Sequence, residues 1–268
     1  MKGIARGCTV VALAWLAGCS TTTTTTSGPV SDVRPIQAVP EEADAKRRAQ
    51  VRLELASAYF GRNQMDVALQ EVNRALQADP NLVNGYNLRG LIHANLGKDQ
   101  AAEDDFRRAL TINPRDVDAL QNFGWYLCQH KRYAEGNAQF TQALAAVQRR
   151  DPSRILLAQG VCHAFAGQFD DAEKALQRSY QADPTNPSTS VNLAEVLLRR
   201  GEAERARFHI RRVNANQSYI SAQTLWLAAR IEHKLGNKTG VQDLGNQLLT
   251  RYRESREAIA FERGQFDE

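Results

Sequence analysis

Ala75-Leu76-Gln77-Ala78-Asp79-Pro80 recurs as Ala109-Leu110-Thr111-Ile112-Asn113-Pro114, with 34 residues from one proline to the next. A fixed period of that length marks a solenoid, in which each unit is one supersecondary element stacked on its neighbours. Between the two prolines, Tyr86, Gly90 and Gly97 are followed by Ala102, Phe106 and Ala109. The spacing predicts two helices, with a glycine-ended turn between them and the proline stopping the second.

Extending the period in both directions gives units at 49–82, 83–116, 117–152, 153–186, 187–220 and 222–255. The first lacks the opening aromatic, the third runs two residues longer before Pro152, and the sixth degenerates after Gly236. This pattern resembles the tetratricopeptide repeat. The resemblance implies an all-α fold, a right-handed superhelix of about six helix pairs over 45–255 with a tail at 256–268, whose work is to hold another protein. Small residues at Gly90, Gly124 and Gly160, and at Ala68, Ala102 and Ala172, suit close helix approach. Gly97, Gly167, Gly201 and Gly236 suit turns that need positive φ. Nearly every Leu, Ala, Gly and Phe of the repeats is accounted for by packing between neighbouring units.

Ahead of the repeats, Lys2 and Arg6 precede an apolar stretch from Cys8 to Trp15, then Leu16-Ala17-Gly18-Cys19. The run is too short to span a bilayer as a permanent helix, and its layout resembles a bacterial lipoprotein signal. The resemblance implies removal of residues 1–18, lipidation of Cys19 and, with Ser20 next in line, sorting to the outer membrane at its periplasmic face. An ordinary signal peptide with an incidental cysteine is the alternative. Three acyl chains exceed what stable anchoring requires. Residues 19–44, with threonines from Thr21 to Thr26 and then Pro29, Pro35 and Pro40, read as a disordered tether reaching roughly 30 Å as a flexible coil.

The chain has 34 Lys and Arg against 30 Asp and Glu, and loss of Lys2 and Arg6 with the leader lowers the balance from +4 to +2. That near-neutrality argues against nucleic acid or another polyanion as partner. The mature domain keeps two cysteines, Cys128 and Cys162, 34 residues apart on the first helices of the third and fourth units. Equivalent helices of adjacent repeats pack roughly 10 Å apart. In an oxidising envelope such a pair points to a disulfide, with two separately buried thiols as the alternative.

The run Gln121-Asn122-Phe123-Gly124-Trp125-Tyr126-Leu127-Cys128, with Gly160-Val161-Cys162 one unit later, resembles the two cysteine segments of the PilF/PilW family of type IV pilus lipoproteins. The resemblance covers the leader and the repeats. It implies a pilotin: a chaperone-like protein that binds subunits of the pilus secretin PilQ, brings them to the outer membrane and supports their multimerisation. A scaffold for another envelope machine, serving outer-membrane protein assembly or peptidoglycan-synthase regulation, is the alternative reading.

In tetratricopeptide folds the first helices line the concave face through the second, fifth, ninth, twelfth and thirteenth positions. Leu53, Phe60, Leu91 and Trp125 there form an apolar strip, and Asn84, Asn87 and Asn95 border it as donors and acceptors for an extended peptide. Burial of Leu53 and Phe60 beneath the segment around 43–50 is the alternative. A clamp for a free carboxylate needs Lys or Arg beside Asn87 and Asn122, and the sequence places none at the matched positions. His93 and His163 lie two units apart, roughly 20 Å by stacking distance and too far for one metal. No phosphate loop, paired carboxylates or nucleophile elbow occurs, so the sequence predicts neither enzyme, cofactor, metal nor small-molecule substrate.

Overall fold

The structure is a computed structural model that describes residues 41–147 and 151–266. The described residues form thirteen α-helices and one short 3-10 turn, without strands. The helices pair as α1 (Glu41–Gly61) with α2 (Met65–Ala78), α3 (Val83–Asn95) with α4 (Asp99–Ile112), α5 (Val117–Gln129) with α6 (Tyr133–Ala146) and α7 (Ser153–Phe165) with α8 (Phe169–Ala182). The series continues with α9 (Pro187–Arg199) and α10 (Ala203–Asn214), then α11 (Ala222–Lys234) and α12 (Lys238–Arg251), and ends with α13 (Arg256–Glu262). Each first helix also touches the first helix of the next pair, the contact that stacks repeats into a solenoid. None of the described helices is long and apolar enough to cross a membrane.

The pairing follows from side-chain size. Ala68, Ala102, Ala172 and Ala206 are completely buried on the second helices. The facing position of the first helix is a glycine in repeats two to four, and the space above it is taken by a large side chain. A Cβ on Gly90 would lie 2.9 Å from the Phe106 ring, and one on Gly160 would lie 2.6 Å from Leu176. Five apolar clusters follow one another along the stack rather than meeting in one centre.

The turns explain the remaining motif residues. Gly97, Gly167, Gly201 and Gly236 take positive φ, while Asn63 and Lys131 hold the same left-handed position in repeats one and three. The prolines follow an aspartate or asparagine whose side chain closes the inter-repeat turn. Asp79, Asn113, Asp151 and Asp183 each accept from the backbone N–H two residues on, at 2.9 to 3.2 Å. After α10, where the proline motif is lost, Asn216 makes the same bond to Ser218 at 3.0 Å.

Two boundaries differ from the expected ones. Helix α1 starts at Glu41, so residues 41–44 belong to it and not to the tether; three acidic residues in its first turn, Glu41, Glu42 and Asp44, favour that start. Residues 256–268 were expected to be a plain tail, yet 256–262 form α13, with Ala258 buried against Leu225 and Leu248. The leader, Cys19 and the tether up to residue 40 lie outside the described residues.

Candidate functional site

The first helices α1, α3, α5, α7 and α9, which line the concave face in tetratricopeptide folds, carry the candidate surface. Two hollows adjoin on it. The first, about 350 Å³, is lined by Leu53, Asn84, Asn87, Leu91, Gln121 and Asn122 among others. The second, about 550 Å³, is lined by Trp125, Leu157, Ala158 and Val161, with Gln121, Asn122, Asn186 and Asn192 around them. Arg154 lines both. The combination is an apolar floor with amide-bearing walls, suited to an extended peptide whose side chains bury while its backbone pairs with Asn and Gln.

The residues expected to form the groove divide. Asn84, Leu91 and Trp125 line it and are at least partly accessible. Leu53 is only 6% exposed and Asn87 only 8%. Leu53 lies in one apolar cluster with Ala56, Val72 and Leu88, and Asn87 Oδ1 accepts from Asn122 Nδ2 at 3.1 Å. In repeats one and two the fifth position points into the crevice between successive first helices, so Leu53 and Asn87 build the groove wall more than its open surface. Phe60 is half-buried against the first-repeat cluster, and Asn95 donates to the Leu91 carbonyl one turn back at 2.9 Å. Neither lines these hollows.

Repeat four contributes what the sequence reading left out. Leu157, Val161 and Phe165 occupy the same register positions as the expected residues of repeats one to three. Phe165, 58% exposed, lies 6.3 Å ring to ring from Trp125. Arg154 stands beside Asn87 and Asn122 in the first hollow, so the groove does possess a cation there, contrary to the expectation that those asparagines stand without one.

Beneath the groove, Cys128 on α5 and Cys162 on α7 are both buried, their sulfurs face one another, and their Cα atoms are 5.7 Å apart. That separation lies in the middle of the range a disulfide spans. Neighbouring junctions use charge instead. Glu103 of α4 pairs with Arg132, and Glu173 of α8 pairs with Arg200 and Arg205. The hydrogen bond from Arg132 holds the Glu103 carboxyl below its usual range. Between repeats three and four the corresponding contact joins an amide and an imidazole, Asn137 Nδ2 and His163 Nδ1 lying 3.2 Å apart. Among the described residues, no three His, Cys, Asp or Glu side chains converge as a metal site.

Family models of the tetratricopeptide repeat match residues 83–116, 122–187 and 166–218. The type IV pilus assembly protein PilF of Pseudomonas aeruginosa is 24% identical over 251 residues, covering 94% of this chain and 97% of that protein. The solved structure of PilW, described as a widely conserved type IV pilus biogenesis factor, is 29% identical with a TM-score of 0.74, covering 79% of this chain and 97% of that one. The chain is a tetratricopeptide-repeat protein of the PilF/PilW family. The solved structure of the Pseudomonas aeruginosa PilF protein, 20% identical, shares the fold with a TM-score of 0.73, covering 82% of this chain and 99% of that one. The similarity to PilF extends over nearly the whole length of both chains.

Proposed function

We propose that this chain is a pilotin of the type IV pilus, anchored by lipid at Cys19 to the periplasmic face of the outer membrane. Its concave groove holds segments of secretin (PilQ) subunits, brings them to the membrane and supports their multimerisation, and so supports pilus biogenesis and twitching motility. The observation that carries this reading is the groove of Leu91, Trp125, Leu157 and Val161 on a chain that matches PilF over 94% of its length. The apolar floor supplies desolvation of large side chains, and the amide walls supply backbone hydrogen bonds. The role is binding rather than catalysis. In the oxidising envelope Cys128 and Cys162 form a disulfide that fixes the separation of α5 and α7 under the groove.

A deletion strain tests the reading. Loss of twitching and of SDS-resistant secretin multimers, restored by the intact chain and not by Cys19→Ala, is expected. Normal multimers in the deletion strain would overturn it.

A further inference from the structure

The first helix of the sixth repeat presents Trp226 and Arg230 at the fifth and ninth positions of its unit, the positions that line the groove in repeats two to four, with His233 beside Arg230 near the helix end. Here those positions are covered. The Phe266 ring stacks on His233 with centroids 4.2 Å and planes 8° apart, and lies 5.2 Å from the Trp226 ring. Its carbonyl oxygen accepts from Arg230 Nε at 3.3 Å. Arg199 and Lys234 join these residues around a hollow of about 180 Å³.

The segment carrying Phe266 is held nearby without needing this ring. Ala258 is fully buried, and Phe261 lies so close over Gly245 that a Cβ there would sit 1.8 Å from the ring. Gly264, at φ 66°, then turns the chain back across α11. Charge adds to the match. The hollow is lined by Arg199, Arg230, His233 and Lys234, of which Arg199 and Arg230 share Glu195 and Lys234 has no ion pair among the described residues. In sequence, Phe266 is followed by Asp267 and Glu268. An aromatic side chain followed by carboxylates therefore suits a hollow that offers a stacking surface and cations.

We propose that the α11 face of Trp226, Arg230 and His233, with the hollow beside it, is a peptide-binding site for an aromatic residue followed by acidic ones, and that Phe266 covers this face in cis as a displaceable pseudo-ligand. A partner segment of the same chemistry enters by displacing the chain's own. This site is separate from the groove of repeats two to four and does not depend on the pilus reading.

The probe is a synthetic Arg-Gly-Gln-Phe-Asp-Glu peptide, titrated by calorimetry against the full chain carrying Phe266→Ala, with the Trp226 indole resonance as a local reporter. Saturable binding is expected in the variant, at least tenfold weaker in the native chain because the cis segment competes. It should vanish when alanine replaces phenylalanine in the peptide, and weaken when Arg230→Gln is added. A chain ending at Gly264 serves if Phe266→Ala alters the melt. No binding to either vacated form, equal affinity for vacated and native chains, or equal affinity for the alanine peptide would each overturn the proposal.

Discussion

Gly124 on α5 and Gly136 on α6 bring their backbones together: a Cβ on Gly136 would lie 2.7 Å from the Gly124 carbonyl oxygen, and one on Gly124 would lie 3.0 Å from that of Gly136. Every other second helix from α2 to α10 carries alanine at this place. Repeat three alone needs glycine, because here the obstacle is backbone and cannot rotate away. Gly136→Ala is expected to destabilise the domain by about 1–3 kcal/mol, the usual cost of overpacking a tight core. Chemical denaturation measures it; an unchanged midpoint would mean that the two helices separate at no cost.

The same close approach places Cys128 beside Gly136 and leaves Cys162 opposite on α7. A bond between residues 34 apart contributes about 3–4 kcal/mol in the chain-entropy account. Replacing both by alanine, or adding reductant, should lower the unfolding midpoint accordingly. Two titratable thiols in the protein purified without reductant from an oxidising compartment would refute the bond.

Lys131 is the one described non-glycine residue besides Asn63 with positive φ, at 62°. Asparagine tolerates that region; a lysine side chain crowds its own backbone there. Lys131→Gly should therefore stabilise the domain, by roughly 0.5–1 kcal/mol. A lower melting temperature for this variant would contradict the argument.

His209 on α10 is 6% exposed, sits edge-on to Tyr180 at 5.0 Å, and its Nδ1 has no partner. Burial first, then the Arg205 and Arg212 charges, lower its pKa below the ordinary histidine value. Because the unfolded chain takes up the proton more readily, stability from this group is complete above about pH 6.5 and is lost as pH falls through the lowered folded value. His209→Phe should flatten the stability profile between pH 7.5 and 5. Parallel melts of the two chains across that range provide the check, and identical slopes would exclude His209 as the cause.

Much of this could be read in the sequence because close packing leaves few choices. Only Gly fits where Phe106 or Leu176 meets the partner helix, and Ala is buried at the facing positions of the second helices, so those residues announce the repeat and its period. Function-bearing positions are less constrained. Leu53 and Trp125 both belong to the concave register, yet one seals the crevice between α1 and α3 while the other faces the groove, and residue type does not distinguish them. Leu157, Val161 and Phe165 were legible by the same register carried one repeat further. Helix α13 was not, since seven residues show too little periodicity, and the pairing of Phe261 with Gly245 is a tertiary contact without a local signal.

That difference between crevice and groove separates two kinds of variant. Val161 is partly exposed and lines the larger hollow, so a carboxylate there remains solvated in the free protein and is desolvated only when a peptide covers it. Val161→Glu and Trp125→Ala should each weaken binding of a secretin fragment at least tenfold, about 1.4 kcal/mol, as central apolar anchors of an interface do. Val161→Glu should leave the melt unchanged. Leu53→Glu places the same charge in the first-repeat core and should lower the melting temperature instead, with binding lost only as folding is lost. Titration of a secretin fragment alongside thermal melts distinguishes the cases. Full binding by Val161→Glu and Trp125→Ala would move the secretin site off the concave face.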